Sequence, residues 1–163
     1  MDAGFRIREA VLPKDRPAIL SFIMGIQHFE NAIEPDRRID PGVAEEYYVV
    51  IRARTAERKG KIFLADDAAG RSVGWAVVHE DQNEVFVVAD ERIYDHIAEL
   101  YVVEEARGRG VGAALIASCE EWARQRGFKT IMIGALAANS RALDVYRDSG
   151  YTPYATLLRK YLP

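Results

Sequence analysis

The sequence predicts an α/β protein, in which helices cover both faces of a mixed β-sheet. Helical and strand patterns alternate along the chain, one early pair of strand-like runs has a hairpin connection, and no linker or repeat divides the sequence. The 163 residues, of which 49% are hydrophobic and 29% charged, have the size and balance of one globular domain. We therefore expect a single domain over residues 1–163 with the element order β-α-α-β-β-β-α-β-α-β.

The first half of the chain is predicted to contain a strand, two helices and a hairpin. Apolar and charged residues alternate at the start, and two later stretches with helical apolar spacing each follow an Asp close to a Pro. Two runs rich in β-branched and aromatic residues then flank a connection of turn residues. The ranges are a strand at 5–11, helices at 15–29 and 40–60, and strands at 62–65 and 73–79. Residues 81–95 show no clear periodicity, and we expect a mostly irregular connection there.

The second half is predicted to alternate strands and helices. A strand leads into the glycine-rich turn R-G-R-G-V-G, and a helix with one apolar face follows and stops at Gly127. A buried strand, a short helix from Asn139 or Ser140 to Gly150, and a last strand complete the pattern. The predicted strands are 97–103, 130–135 and 151–158.

Composition disfavours several classes of protein. A net charge of -3 provides no basic surface for nucleic acid. The single cysteine, Cys119, cannot form an internal disulfide, and the first residues lack the apolar core of a signal peptide. The longest apolar stretches, such as 131–138, are far shorter than the about 20 residues that span a bilayer. We expect a soluble cytoplasmic protein without nucleic-acid, membrane or metal partners.

The turn from Arg107 to Gly112 has the features of an anion-binding loop. Gly108, Gly110 and Gly112 permit a sharp turn and leave room for a ligand close to the backbone. The helix that follows directs unpaired N–H groups and the positive end of its dipole at the same point, which suits a phosphate. Arg107 and Arg109 add positive charge. A tight turn with solvent-facing arginines is the alternative interpretation.

Two common nucleotide loops do not fit this turn. The dinucleotide fingerprint requires G-x-G-x-x-G and an acidic residue after the next strand, whereas the chain has G-x-G-x-G and then Gly134-Ala135-Leu136. The phosphate loop of nucleotide hydrolases needs Lys followed by Ser or Thr, but Ala113 and Ala114 follow the last glycine. NAD and ATP are therefore disfavoured as ligands.

Two linked motifs resemble the GCN5-related N-acetyltransferase (GNAT) superfamily. Its acetyl-CoA loop has the pattern Q/R-x-x-G-x-G/A after a strand, which Arg107, Gly110 and Gly112 match in order. Its downstream signature N-x-x-A-x-x-x-Y-x-x-x-G-F is matched by Asn139, Ala142, Tyr146, Gly150 and, in place of Phe, Tyr151. The first half of the chain matches by element order alone. The resemblance implies a GNAT-like fold and acetyl transfer from acetyl-CoA to an amine.

The resemblance also implies which residues bind the cofactor. The backbones of Leu100 and Val102 would run along the pantetheine arm and the acetyl group, and the Val102 amide is the candidate donor to the thioester carbonyl. Turn and helix amides would bind the pyrophosphate. Asn139 has a second interpretation as a helix cap. The implied cofactor-binding set is Leu100, Val102, Arg107, Gly108, Arg109, Gly110, Val111, Gly112, Ala113, Asn139 and Ala142.

Tyr146 and Glu99 are the candidate catalytic residues. By the resemblance, Tyr146 would donate a proton to the departing sulfur, since a phenol with a pKa of about 10 is protonated at neutral pH. Packing of its ring on the sheet is the alternative. Glu99 is the candidate base for the attacking amine, directly or through a water, with a structural hydrogen bond as the alternative. His79 and His96 are further bases, for which a solvated or core role competes.

The sequence does not define the acceptor. The family builds much of its acceptor pocket between the first two helices, where Glu30 and Glu34 could attract a cation, although a solvated face is the alternative. The expected activity is direct acetyl transfer to a primary amine of a small molecule or a protein. The competing hypothesis is a non-catalytic acyl-CoA-binding sensor or regulatory module. A homodimer is one option for the oligomeric state.

Overall fold

The computed structural model describes residues 4–163. Its five strands form one sheet in which strands that follow each other in the chain are neighbours, and all pairs are antiparallel except the last, which is parallel. The α/β class and the mixed sheet are confirmed. The strands are β1 (Phe5–Glu9), β2 (Lys61–Asp67), β3 (Ser72–Gln82), β4 (Ile93–Val102) and β5 (Ile131–Ile133). The helices are α1 (Arg16–Asn31), α2 (Gly42–Glu57), α3 (Ala89–Arg92), α4 (Val111–Gln125) and α5 (Ser140–Asp148), with a 3-10 turn at Glu104–Ala106.

Helices cover both faces of the sheet, as the sequence predicts. On one face, α1 and α2 contribute Ile23 and Tyr48 to an apolar cluster that includes Trp75 of β3. On the other face, α4 contributes Leu115 and Cys119 to a second cluster. Full burial of one large apolar side chain stabilises a fold by about 1.5–3 kcal/mol. Because both clusters pack on β3, this strand is the centre of the core, and it is buried continuously from Val73 to His79.

Residues 81–95 are more regular than the sequence predicts. β3 continues to Gln82 and pairs with β4 from Ile93 onwards, and the turn between them contains the short helix α3. The expectation of a mostly irregular connection was therefore wrong at both ends of this segment. The polar residues of this segment show no strand pattern in the sequence. They form strands because pairing between β3 and β4 stabilises these positions more than the intrinsic propensity of the residues does.

The prediction of a last strand at 151–158 was wrong. Tyr151 packs near Tyr146, with 6.3 Å between the ring centroids, but residues 152–163 form neither helix nor strand. Their large apolar side chains are exposed, and Leu157 is 97% exposed. Arg159 forms ion pairs with Glu34 and Asp36, at 2.6 and 2.7 Å, after α1. A strand is stable only beside a partner strand, and β5, an edge strand of the sheet, is only three residues long.

Candidate active site

A cavity of about 400 Å³ opens where β4 and β5 separate. Its walls come from α1, β4, the glycine turn, α4, α5 and the residues after β5. Both candidate catalytic residues, Glu99 and Tyr146, line it, and so does Glu30. Arg109 and Glu34 do not. From the cofactor-binding set, the cavity brings together Leu100, Val102, Arg107, Gly108, Gly110, Val111, Gly112, Ala113, Asn139 and Ala142.

The two parallel strands pair over a short distance only. Asp95 to Ile97 of β4 pair with Ile131 to Ile133 of β5, after which β5 ends and β4 continues to Val102. The register with β3 shifts at the same point, which leaves Ala98 as an extra residue in β4. Such a β-bulge bends and twists a strand. The bulge and the end of β5 together create the space that the cavity occupies.

The hydrogen-bond alternation along β4 directs two amides away from β3. The Val103 N–H donates to the Val73 carbonyl at 2.9 Å, so these two residues form a hydrogen-bonded pair. Because such pairs alternate along an antiparallel ladder, Val102 and Leu100 direct their N–H and C=O groups to the opposite side. Both residues line the cavity. This edge of β4 can therefore donate hydrogen bonds to a ligand that lies along it.

The glycine turn presents main-chain donors at the start of α4. Gly108 and Gly110 have φ angles of 73° and 82°, a left-handed conformation that strains any residue with a Cβ. Gly110 precedes α4 without a side-chain cap, so the N–H groups of Val111, Gly112 and Ala113 lack acceptors within the helix. Partial positive charge accumulates at these amides. All three residues line the cavity, which gives it one end suited to a phosphate group.

The two arginines of the turn do not lie together. The Nε of Arg107 donates to the Val102 carbonyl at 2.8 Å, and its guanidinium lies over the rings of Phe29 and Tyr101, 5.1 and 5.6 Å from their centroids. Arg107 therefore links the turn to β4 and to α1. The guanidinium of Arg109 lies beside Gly4, just before β1 and outside the cavity. No pattern in the sequence indicates this difference, since both side chains leave the same turn.

Tyr146 lies in α5 and faces the cavity while only 9% exposed. Burial, with smaller contributions from the carboxylates of Glu30 and Glu99, raises the pKa of its hydroxyl to about 12. The hydroxyl is therefore protonated throughout the neutral range and can donate a hydrogen bond. Asn139 caps α5, because its side chain accepts a hydrogen bond from the Ala142 N–H at 3.1 Å. This contact accounts for its position at the start of α5 next to the cavity.

Glu99 lies in β4 and is 9% exposed. Burial raises the pKa of its carboxyl to about 7, although two neighbours oppose this shift: Tyr47 of α2 donates its hydroxyl to Glu99 Oε1, and Arg54 adds positive charge. The nearby carboxylate of Glu30 acts in the same direction as burial. A carboxyl with a pKa near 7 exchanges protons readily at neutral pH, which is the property required of a general base.

Glu30 and Glu34, the two candidate acceptor-binding residues, lie in different surroundings. Glu30 lines the cavity and forms an ion pair with Arg37 at 2.7 Å, in a half-buried position. Glu34 is directed to the C-terminal segment, where it pairs with Arg159. The carboxyl groups that line the cavity are therefore those of Glu30, Glu99 and Asp148.

The two histidines lie outside the main cavity. His79 is 1% exposed, and its Nδ1 lies 3.0 Å from the carbonyl oxygen of Glu80. His96 lies beside it, with its Nδ1 3.6 Å from a carboxylate oxygen of Asp81. Burial lowers the pKa of both rings, which keeps them neutral near pH 7. Their packing on each other, across the paired strands β3 and β4, accounts for their positions.

Several cavity residues were not identified from the sequence. Ile26 and Phe29 of α1 and Tyr101 of β4 add apolar surface, and Arg141 of α5 adds a positive charge. Helical spacing in the sequence places Tyr47 on the apolar face of α2. In the structure, the neighbouring Tyr48 is the more deeply buried of the two, at 3% exposure, and the Tyr47 hydroxyl contacts Glu99. Tyr47 and Glu99 are 52 residues apart in the sequence, and no local pattern indicates that they meet.

Two further findings concern residues 4–163 as a whole. No helix among them combines the length and the apolar character needed to cross a membrane. Within the same range, the His, Cys, Asp and Glu side chains form no group of three or more that could bind a metal ion.

Comparison with protein families identifies the class of enzyme to which this fold and cavity belong. The model of the acetyltransferase (GNAT) family matches residues 26–151. This range covers most of the chain and includes the glycine turn, Glu99 and Tyr146. The chain therefore belongs to the GNAT family of acetyltransferases.

Solved structures of similar fold cover nearly the whole chain. A mutant of the BH1408 protein from Bacillus halodurans is 18% identical with a TM-score of 0.79, over 97% of this chain and 99% of its own. A predicted acetyltransferase from Clostridium acetobutylicum, solved with acetyl-CoA, is 18% identical with a TM-score of 0.72, over 96% of each chain. An aminoglycoside antibiotic 6'-N-acetyltransferase from Acinetobacter haemolyticus is 16% identical with a TM-score of 0.71, over 97% of this chain and 98% of its own. These likenesses establish the shared fold. A search of curated proteins finds no match.

Proposed function

We propose that the protein transfers the acetyl group of acetyl-CoA directly to a primary amine of a small molecule or a protein. The observation that supports this proposal is one cavity that joins three features: the main-chain donors of the glycine turn, the open edge of β4, and the side chains of Glu99 and Tyr146. Membership of the GNAT family supports acetyl transfer in general. The solved acetyltransferase with acetyl-CoA supports the choice of acyl donor.

The residues of the cavity fit acetyl-CoA at both of its ends. The uncapped amides of Val111, Gly112 and Ala113 suit the pyrophosphate, and the glycines leave space for it. Leu100 and Val102 offer main-chain groups to the pantetheine arm. Acetyl-CoA supplies an acetyl group activated as a thioester. The N–H of Val102 stabilises the negative charge that develops on the carbonyl oxygen during attack by the amine.

Glu99 takes a proton from the acceptor amine. An alkyl ammonium has a pKa of about 10.4, so at neutral pH the nitrogen lone pair becomes available only after an N–H bond breaks. The carboxylate of Glu99 forms the new O–H bond, and its raised pKa of about 7 narrows the difference between donor and acceptor. The same carboxylate, with Glu30, attracts the cationic amine into the cavity.

Tyr146 donates a hydrogen bond to the departing sulfur. A thiol titrates near 8.5, whereas the pKa of Tyr146 is raised to about 12, so complete transfer of its proton to the thiolate is unfavourable. The phenol therefore stabilises the thiolate as a neutral donor and keeps its own proton. Proton transfer from Tyr146 to the sulfur, which the family resemblance implies, stays a prediction, and the raised pKa favours the hydrogen-bonded form of the same contact.

The test is thiol release from acetyl-CoA with purified protein and a panel of polyamines, aminoglycosides, amino acids and lysine peptides. We expect release that depends on at least one primary amine, with one acetylated product per thiol by mass spectrometry. Tight CoA binding, by calorimetry, without turnover on any amine would contradict the proposal and favour the sensor hypothesis. Acetylation of hydroxyl groups alone would contradict the choice of acceptor.

A further inference from the structure

The contact between Tyr47 and Glu99 joins two layers of the protein. Tyr47 projects from α2 and Glu99 from β4, and the Tyr47 hydroxyl donates its hydrogen bond to Glu99 Oε1. Glu99 lines the main cavity, whereas Tyr47 does not. Tyr47 therefore contacts a carboxylate of the cavity wall without lining the cavity itself.

Glu99 would lose much of its negative charge at neutral pH without its polar neighbours. Burial opposes the ionised form, and Glu30 of α1 opposes it as a second negative charge. Tyr47 and Arg54, both on α2, favour the ionised form, the first by a hydrogen bond and the second by its positive charge. Of the other titratable groups around it, Tyr146 of α5 is neutral, and burial keeps His79 of β3 neutral near pH 7.

We propose that Tyr47 is a positioning residue, which keeps Glu99 ionised and oriented to accept a proton from the acceptor amine. This inference rests on the proposed function. In the step concerned, the ammonium N–H bond breaks, the O–H bond of Glu99 forms, and the electron pair stays on nitrogen for attack on the acetyl carbon. The hydrogen bond of Tyr47 to Oε1 fixes the rotation of the Glu99 carboxylate. The carboxylate is therefore already oriented before the proton transfer begins.

A purely structural role for Tyr47 is a weaker explanation of its position. The ring of Tyr47 packs against the apolar cluster beside β3, but its neighbour Tyr48 is the more deeply buried aromatic side chain of α2, at 3% exposure, and the packing of a ring does not require the hydroxyl of Tyr47. Burial and the charge of Glu99 raise the pKa of Tyr47 well above its ordinary value, so the phenol remains a donor over the whole working range of pH. A stabilised donor aimed at the one carboxylate of β4 that faces the cavity is typical of a residue that tunes a base.

The experiment is Tyr47→Phe, which removes one hydroxyl and keeps the ring. Hydrogen bonds to charged groups contribute about 1.5–3 kcal/mol, so the midpoint of the kcat against pH curve should move upward by about one unit. The rate should fall about tenfold below that midpoint and recover above it. Tyr48→Phe is the matched control, and its midpoint should equal that of the wild type. CoA affinity should be the same in all three proteins.

Two further measurements separate this inference from the proposed function. In the Glu99→Gln background, Tyr47→Phe should have no additional effect on kcat, because the group it acts on is gone. The titration of the Glu99 carboxyl, followed by carbon NMR with labelled glutamate, should shift upward in Tyr47→Phe without any substrate. An unshifted titration, or an equal loss of rate at every pH, overturns the positioning role while amine acetylation stands. If the proposed function is wrong but the positioning role is right, the Glu99 titration shifts in Tyr47→Phe although the wild-type protein acetylates no amine.

Discussion

The two sides of the cavity are built from different parts of the polypeptide. The side assigned to the cofactor consists of main-chain groups: the edge of β4, the glycine turn and the first amides of α4. The side assigned to the acceptor consists of side chains, chiefly Glu30 of α1 and Glu99 of β4, the latter supported by Tyr47. Backbone geometry is the same for every sequence that adopts the fold, whereas side chains differ from one sequence to the next. A family with one acyl donor and many acceptors is expected to divide its site in this way.

The largest expected effect is on the acceptor side, from Glu99→Gln. The amide keeps the shape of the side chain and still accepts the hydrogen bond of Tyr47, but it cannot take up a proton. We expect kcat at pH 7 to fall by about 10²–10⁴-fold, the usual contribution of a general base, with unchanged CoA affinity. Steady-state kinetics and calorimetry measure the two quantities. Glu121→Gln, on the exposed face of α4 where Glu121 pairs with Arg124 away from the cavity, is the control and should retain wild-type kcat. A wild-type rate for Glu99→Gln would remove Glu99 as the base.

A smaller loss is expected from Tyr146→Phe, which removes the hydrogen bond to the departing sulfur. We expect kcat to fall by about 10²-fold while CoA affinity changes little, because the interaction strengthens only as charge develops on sulfur. Tyr151→Phe provides the comparison, since its ring is adjacent but does not line the cavity. Equal effects of the two substitutions would show that Tyr146 acts only through packing.

Glu99→Gln should also stabilise the protein, and the gain should depend on pH. The pKa of Glu99 is raised from 4.5 to about 7 in the folded state, so folding loses stability as pH rises through this interval. At 1.36 kcal/mol per pKa unit, the free energy of unfolding of the variant should exceed that of the wild type by up to about 3 kcal/mol at pH 8. The difference should vanish at pH 4. Urea unfolding at the two pH values measures it, and a difference independent of pH would contradict the raised pKa.

The smallest expected effect is on the cofactor side, from Gly112→Val. Gly112 has no left-handed φ, and a Cβ there would lie in ordinary contact with Val102 and Val145, at 3.9 and 4.0 Å. The added methyl groups should enter the cavity and weaken CoA binding by at least about tenfold, equivalent to about 1.4 kcal/mol, with little change in fold stability. Ala117→Val, on an exposed part of the same helix, is the control. Wild-type CoA affinity in Gly112→Val would show that the glycine turn does not bind the cofactor. Gly110 is less informative, because its φ of 82° strains any larger residue.

The same division explains how much of the site the sequence could predict. The glycine turn was predictable because its glycines, the strand before it and the helix after it are neighbours in the chain. Tyr146 and Asn139 were indicated by the resemblance to the family's motif, whose residues lie in α5 and at its N-cap. By contrast, the contact of Tyr47 with Glu99 and that of Arg107 with Phe29 each join residues far apart in sequence. Such pairs depend on how the layers pack, which local periodicity does not specify.

The errors in the predicted fold have the same origin. The β3 and β4 strands extend through polar residues because they pair with each other, and the segment after Tyr151 forms no strand although its residues suit one. In both places the presence or absence of a neighbouring strand determines whether a strand forms, since a strand is stable only within a sheet. Helices α1 and α4, whose start signals and apolar faces are local, were located closely from the sequence.

Arg107 contacts both sides of the cavity. Its guanidinium lies between the glycine turn and the ring of Phe29, the residue before Glu30. We therefore expect a ligand that orders the turn also to restrain the end of α1, where the acceptor is expected to bind. Linkage of this kind is reciprocal: whatever factor the cofactor adds to the affinity for the acceptor, the acceptor adds to the affinity for the cofactor.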